Sequence, residues 1–198
     1  YYAEWLLGAL PSVSRRHVVC DQDAATHALL AQSWWNPEFG GRVAFLGASR
    51  APHGLTTGRR ESLGGEGDLA RPSGLTRWGR GGTLVAGADP CAAYQVHHDL
   101  AGGASDEIVF VIGQAESDQA ARTLAAHWAD PGSAETALEA IKAKWDRILG
   151  AVEVRTPDRA FDLIVNRWLL YQSLSSRVMA RTGLYQSSGA IGFRDQLQ

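Results

Sequence analysis

Between Tyr185 and Gln198 the chain reads YQSSGAIGFRDQLQ, and the side chains able to do chemistry crowd into its end. Phe193 offers a face that packs on the apolar side of a sugar ring. Arg194, Asp195, Gln196 and Gln198 supply the donors and acceptors that hydroxyl groups need. Such a set suits a polyhydroxylated ligand. Gly189 and Gly192 lie just before it, where a missing side chain lets the backbone approach a ligand closely. The competing reading of Arg194 and Asp195 is a surface ion pair with no ligand. The short path from a long apolar helix through the glycines favours a lined cavity.

Other chemistries find less support. The six histidines include the adjacent His97-His98, which point to opposite faces if extended, and no HExxH or two-His-one-carboxylate spacing occurs, so no metal is expected. Gly64-Gly65-Glu66-Gly67 has neither the lysine nor the strand-to-helix context of a phosphate loop and reads as a loop. Ser187-Ser188-Gly189 has no Gly-x-Ser-x-Gly elbow and no recognisable base, which argues against a serine hydrolase. Net charge is -2 with arginines scattered in pairs, so nucleic acid is not an expected partner. Cys20 and Cys91 lie outside any metal or redox spacing and read as two reduced thiols.

The elements that must position the site divide in two. Up to about Gly113, short apolar runs at His17–Cys20, Val43–Leu46, Tyr94–His97 and Ile108–Ile112 are separated by Gly, Pro, Asp and Ser. None is followed by a helical crossover of the right length, which favours an antiparallel sandwich. The glycine- and arginine-rich stretch from Gly47 to Gly82 has too little apolar content for core and is expected as loops with one or two edge strands. After Gly113 the period becomes helical. Ser117 caps a helix with Ala121, Leu124, Ala125 and Trp128 on one face, ended by Asp130-Pro131-Gly132. A second helix is expected from Ser133 to a stop at Gly150, with Leu138, Ile141, Trp145, Ile148 and Leu149 along one side. Thr156 is then read as an N-cap with Pro157 at the first helical position. The third helix, Asp158 to Arg181, is apolar around most of its circumference, as in a helix buried on more than one side of a bundle or helical barrel.

Seven tryptophans are many for 198 residues. Trp128, Trp145 and Trp168 fall on apolar helix faces and are expected in cores. Of the neighbours Trp34 and Trp35, one is expected at the surface, since adjacent extended residues face opposite ways. The hydrophobic content of 45% suffices for real cores, and no run of about 18 apolar residues suggests a membrane span. Tyr1 at the start, Met179 as the sole methionine and a last residue inside a motif are read as an internal fragment of a longer protein.

Three groups of residues carry a resemblance. Asn166-Arg167-Trp168-Leu169-Leu170-Tyr171-Gln172, Tyr185-Gln186-Ser187-Ser188-Gly189-Ala190 and Gly192-Phe193-Arg194-Asp195-Gln196-Leu197-Gln198 resemble glycoside hydrolase family 94. Trp35–Gly40, Asp89–Ala93 and Phe110–Ala115 are most similar to its cyclic β-1,2-glucan synthase branch. The resemblance implies an α+β multidomain fragment: a β-sandwich of the supersandwich type over residues 1–115, a helical linker over 116–155, and over 156–198 the first helices of an (α/α)6 barrel. It implies inverting cleavage of a β-glucosidic bond in which inorganic phosphate attacks the anomeric carbon and one aspartic acid protonates the leaving oxygen. Phosphate is then a co-substrate, and no cofactor is expected.

By the same resemblance Asp195 binds the sugar that is cleaved, with Arg194, Phe193, Gln196, Tyr185 and Gln186 around the substrate. The general acid, in a Trp-x-Asp segment of the family, is expected beyond Gln198, so this fragment by itself should be inactive. The cellobiose-cleaving branch carries a sugar-binding arginine ahead of Gly-Phe-Arg-Asp, and Ser187–Ile191 has none, which turns the expectation from cellobiose towards β-1,2-glucan. The expected partners are a β-glucan or β-glucoside oligosaccharide and, because related phosphorylases commonly dimerise, a second copy. The expected location is the cytoplasm, including as the soluble region of an inner-membrane protein. A free-standing phosphorylase on another β-glucoside and a non-catalytic glucan-binding module stay open beside the synthase reading.

Overall fold

Short apolar runs with a two-residue period build most of the first 115 residues into strands. The computed structural model describes residues 1–8 and 10–175. In chain order these form β1 (Tyr2–Glu4), α1 (Pro11–Ser14), β2 (Val18–Gln22), β3 (Leu29–Ser33), β4 (Val43–Ala48), β5 (Gly54–Gly58), α2 (Arg59–Leu63), β6 (Pro90–Gln95) and β7 (Phe110–Ala115). Then follow α3 (Asp118–Ala129), α4 (Pro131–Leu149), α5 (Arg159–Leu163), a π-helical turn (Ile164–Trp168) and α6 (Leu169–Ser173). They fall into two units, Tyr1–Glu135 and the chain from Thr136 onward.

In the first unit two antiparallel sheets face each other. One has strand order β1-β6-β5, the other β2-β3-β4-β7. Val18, Cys20, Leu29, Ala31, Ala44 and Leu46 from the larger sheet meet Leu55, Ala92 and Tyr94 from the smaller one in a single core. The opposite face of the larger sheet carries Leu30, Val43, Phe45 and Ala115, and α3 covers it with Ala121 and Ala125. This explains the unbroken apolar run of β4: alternate residues serve two cores, so all six are buried. Gly113 lies opposite Phe45, and a Cβ there would come within 2.6 Å of the ring, so the glycine makes room for it.

The antiparallel sandwich and the helical period after Gly113 are as expected; several details differ. The Gly47–Gly82 stretch does supply core. β5 is buried throughout although it reads GLTTG, because Thr56 and Thr57 satisfy their hydroxyls internally. Thr56 Oγ1 donates to Glu61 Oε2 at 2.6 Å and Thr57 Oγ1 to the Thr83 carbonyl at 3.2 Å. A buried threonine with a hydrogen-bonded hydroxyl is as acceptable as a valine, and apolar counting misses it. β5 is nonetheless an edge strand of its sheet. His97 and His98 lie past the end of β6 and do not straddle a sheet.

The helix starts are shifted by caps. Ser117 accepts from the Ala120 amide at 3.2 Å, as expected. Asp130 accepts from the Ser133 amide at 2.8 Å, which puts Pro131 inside the first turn of α4 and starts that helix before Ser133. Asp158, not Thr156, caps α5, accepting from the Ala160 and Phe161 amides. Pro157 therefore stands outside the helix, and the Thr156 hydroxyl donates to Asp162 at 2.8 Å. A carboxylate two residues on can reach the free amides, and the proline does not decide between the caps.

Partly buried ionic contacts close the first unit on itself. Glu4 takes Arg15 at 2.6 Å and Arg59 at 2.9 Å, and both arginines also reach Asp89, at 3.3 and 3.5 Å. The ring ties β1, the turn after α1, the start of α2 and the approach to β6. Hydrogen bonding from Arg59 and Tyr2 together with the two positive charges holds the Glu4 carboxyl below the usual range, against the opposing effect of burial. Because the folded value is depressed, the unfolded chain binds the proton first. The contribution is present above the ordinary glutamate pKa and is lost as pH falls through the folded value. Thermal melts from about pH 5 down to about pH 3 should therefore drop more steeply for the native chain than for Glu4→Gln. Parallel curves would remove Glu4 from this role.

Burial raises Cys20 to about 11 and Cys91 to about 12, so both thiols stay protonated at neutral pH, and neither is in a disulfide.

Candidate carbohydrate-binding residues

Asp195, Arg194, Phe193, Gln196, Tyr185 and Gln186 all lie outside the described residues, as does Gln198. The described part of the third helix precedes them in the chain. From Asp158 its backbone runs through α5, the π-helical turn and α6. Asn166 on this path clamps the preceding extended segment: Val154 N–H donates to its Oδ1 and its Nδ2 donates to the Val154 carbonyl, both at 2.8 Å. Arg167 pairs with Asp146 of α4, and Trp145 meets Tyr171 edge-on at 4.9 Å. The local fold thus fixes the direction in which the helix runs.

A cleft of about 340 Å³ opens beside it, lined by Asp146, Leu149, Glu153, Arg159, Asp162 and Asn166 among others. Its polar groups are largely consumed internally, Asp162 by Thr156, Asn166 by Val154 and Asp146 by Arg167. It is a joint between helices and offers few free donors to a sugar. The third helix itself is not buried on several sides among the described residues: Phe161, Leu163 and Trp168 are about half exposed, Trp168 at 59%. Apolar character all round shows which surface favours burial. It does not supply the partner, and the only other described helix of this unit is α4. The expected core placement of Trp168 therefore fails here, Trp128 lies at the surface margin and Trp145 is half-buried.

Two groups of exposed aromatics stand out on the first unit. Trp34 and Trp35 are both exposed, one more than the expected one, because β3 ends at Ser33 and the pair enters the Asn36–Gly40 turn in place of an extended strand. Trp35 stacks on His17 at 4.4 Å and borders an apolar cleft of about 410 Å³ with Leu7, Leu10, Val13 and Pro37. The second group is Trp78 with His53 and His97, ring centres 4.9 and 4.7 Å from the indole. Sequence reasoning passed over it as part of a glycine-rich loop. A tryptophan without periodic neighbours, flanked by Arg77 and Gly79, is the signal that marks it.

Among the described residues no cluster of three or more His, Cys, Asp or Glu side chains could hold a metal ion. Among the same residues no helix is long and apolar enough to cross a membrane.

Comparison with known proteins identifies the frame in which these residues stand. The chain is 40% identical over 200 aligned residues to the cyclic beta-(1,2)-glucan synthase NdvB of Rhizobium meliloti (strain 1021), covering 100% of this chain and 7% of that protein. It is 30% identical to the solabiose phosphorylase of Paenibacillus borealis over 78% of this chain and 19% of that one. With the N,N'-diacetylchitobiose phosphorylase of Vibrio proteolyticus it shares 26% identity over 54% of this chain and 14% of the relative. The chain thus spans a fifth or less of each of these relatives. Residues 144–198 match the glycosyl hydrolase 94 superfamily catalytic domain. The glycosyl hydrolase 94 supersandwich domain matches residues 1–131, where the two facing antiparallel sheets and α3 lie, and the chain accordingly belongs to the glycosyl hydrolase 94 family of carbohydrate-active enzymes.

Proposed function

We propose that this chain is the sandwich and the opening of the catalytic barrel of a β-1,2-glucan-processing enzyme that works by inverting phosphorolysis. The observation that carries the reading is the 40% identity to a cyclic β-1,2-glucan synthase along the whole chain, beside 30% over 78% and 26% over 54% for two disaccharide phosphorylases. The missing arginine in Ser187–Ile191 supports the same branch. In this reading Asp195 accepts two hydroxyls of the sugar being cleaved and orients its ring, with Arg194, Phe193, Gln196, Tyr185 and Gln186 around it. Its negative charge favours the cationic character that develops at the anomeric carbon.

Inorganic phosphate is the nucleophile and co-substrate. It replaces the base that an inverting hydrolase needs to activate water, so one carboxylic acid suffices. That acid is assigned to a Trp-x-Asp segment following Gln198, and these 198 residues by themselves are expected to be inactive. The helical segment over residues 156–198 begins an (α/α)6 barrel, a homodimer is the proposed assembly, and the cytoplasm the proposed location. A free-standing phosphorylase is the second reading, favoured by the matches to two such enzymes.

The test is an assay of the protein carried through its whole catalytic domain on linear β-1,2-glucan, with and without phosphate. Glucose 1-phosphate released only with phosphate is the expected result. Turnover of another β-glucoside alone would move the assignment to the second reading, and binding without turnover would overturn the enzymatic one.

A further inference from the structure

We propose that Trp78 is the platform of a separate carbohydrate subsite on the sandwich, taking one pyranose ring of a glucan chain on its exposed indole face. Trp78 is 73% exposed, yet it is held on several sides. Its carbonyl accepts from Gln95 Nε2 at 3.3 Å, and the imidazoles of His53 and His97 lie against the ring. The loop that carries it is pressed onto edge strand β5: a Cβ on Gly54 would lie 2.6 Å from the Arg80 nitrogen, and Gly82 N–H donates to the Leu55 carbonyl at 3.0 Å. Arg80 is tied back to the Ser62 hydroxyl at 3.3 Å. His53 N–H donates to the Gln95 carbonyl at 2.8 Å, and His97 Nε2 is oriented by Asp99 at 3.3 Å. The indole is therefore presented by a fixed backbone, with its ordering cost met before any ligand arrives.

The chemistry around the ring selects a sugar. A largely exposed indole with two imidazoles packed on it combines apolar surface with nearby donors and acceptors, which is what the alternating C–H face and hydroxyl rim of a pyranose require. A nucleic-acid strand would also stack, but it needs cations for its phosphates. Here Arg50 is paired with Asp106 and the chain carries a net charge of -2, so the exposed Arg77 beside the indole does not stand in the basic groove that a phosphate backbone requires. A protein partner needs about 800 Å² from each side, far more than one indole, and the sequence neighbours Arg77 and Gly79 add no apolar surface. The choice of glucan as the chain rests on the function proposed above; the indole platform rests on the local geometry. A processing enzyme gains from such a subsite because a second grip raises the effective concentration of the polymer at its catalytic domain.

The experiment titrates the 198-residue chain with a linear β-1,2-gluco-oligosaccharide and, in parallel, with a chito-oligosaccharide, following binding by calorimetry. Far-UV circular dichroism would check that Trp78→Ala keeps the fold, as expected for an exposed side chain. Trp78→Ala should weaken the gluco-oligosaccharide by about tenfold or more, a loss of about 1.4 kcal/mol. The loss should appear equally in the Asp195→Asn background, which separates it from the barrel site, while Trp78→Phe should recover part of it and Trp35→Ala should change nothing. Unchanged binding in Trp78→Ala, or binding of neither oligosaccharide, would overturn the subsite. Trp78-dependent binding of the chito-oligosaccharide alone would uphold the platform and remove β-1,2-glucan from the functional reading.

Discussion

Asp195→Asn, in the protein carried through its whole catalytic domain, is expected to lower phosphorolysis of β-1,2-glucan by about 10²- to 10³-fold, the loss typical of removing one preorganised electrostatic group from a reacting centre. The substitution keeps the shape and one acceptor and removes the charge. Two effects then separate. If Asp195 only holds the sugar, KM rises and kcat stays. If its charge also stabilises the cationic character at the anomeric carbon, kcat and kcat/KM fall together. The second pattern is expected, because a neutral amide can still orient a hydroxyl but cannot offset developing positive charge. The measurement is initial-rate kinetics of glucose 1-phosphate release at several glucan and phosphate concentrations. Near-native kinetics would remove Asp195 from the reacting subsite and leave the ion-pair reading of Arg194-Asp195.

Tyr94→Ala should be the most damaging substitution in the sandwich, costing about 3–5 kcal/mol by analogy with other large buried rings. Tyr94 stands on β6 with 1% of its surface exposed, in the core between the sheets, and meets the edge of Phe110 with ring centres 6.3 Å apart. Its hydroxyl donates to the Arg50 carbonyl at 3.1 Å, and burial pushes its pKa up to about 12, so it stays a neutral donor. The comparison that decides between packing and hydrogen bonding is Tyr94→Phe, which keeps the ring and removes the hydroxyl. That change should cost only about 0.5–1.5 kcal/mol, the usual net worth of one such bond. Denaturant melts of the 198-residue chain would give both values. Equal losses in the two variants would mean that the hydroxyl, and not the ring, holds the sheets together there.

Much of the architecture was legible because it depends on neighbours in sequence. The two-residue period of Val18-Val19-Cys20 places Val18 and Cys20 inside and Val19 out, and the serine at 117 meets the amide of Ala120 three residues on. What escaped depends on partners brought from a distance. Thr56 and Thr57 read as surface residues until Glu61 and the Thr83 carbonyl arrive to satisfy them. β1 is only three residues long and is defined by its pairing with β6, with Tyr2 opposite Ala93. No local pattern announces a strand of that length. The proposed sugar-binding residues around Asp195 were legible only as a motif. They lie outside the described residues, so their geometry remains the subject of the Asp195 experiment.

By itself, then, the sequence determined the order of strands before helices, the helix caps within a residue or two, the family and the motif that nominates Asp195, since each is written in short-range spacing and residue type. The tertiary structure alone decided that β4 serves two cores, that Glu4 closes a ring with Arg15, Arg59 and Asp89, and that the exposed Trp78 packs on the imidazoles of His53 and His97. These joins link residues far apart in sequence, as in Arg15 and Asp89, 74 positions apart. Periodicity cannot encode such pairings, because they follow from which surfaces the packed sheets bring face to face.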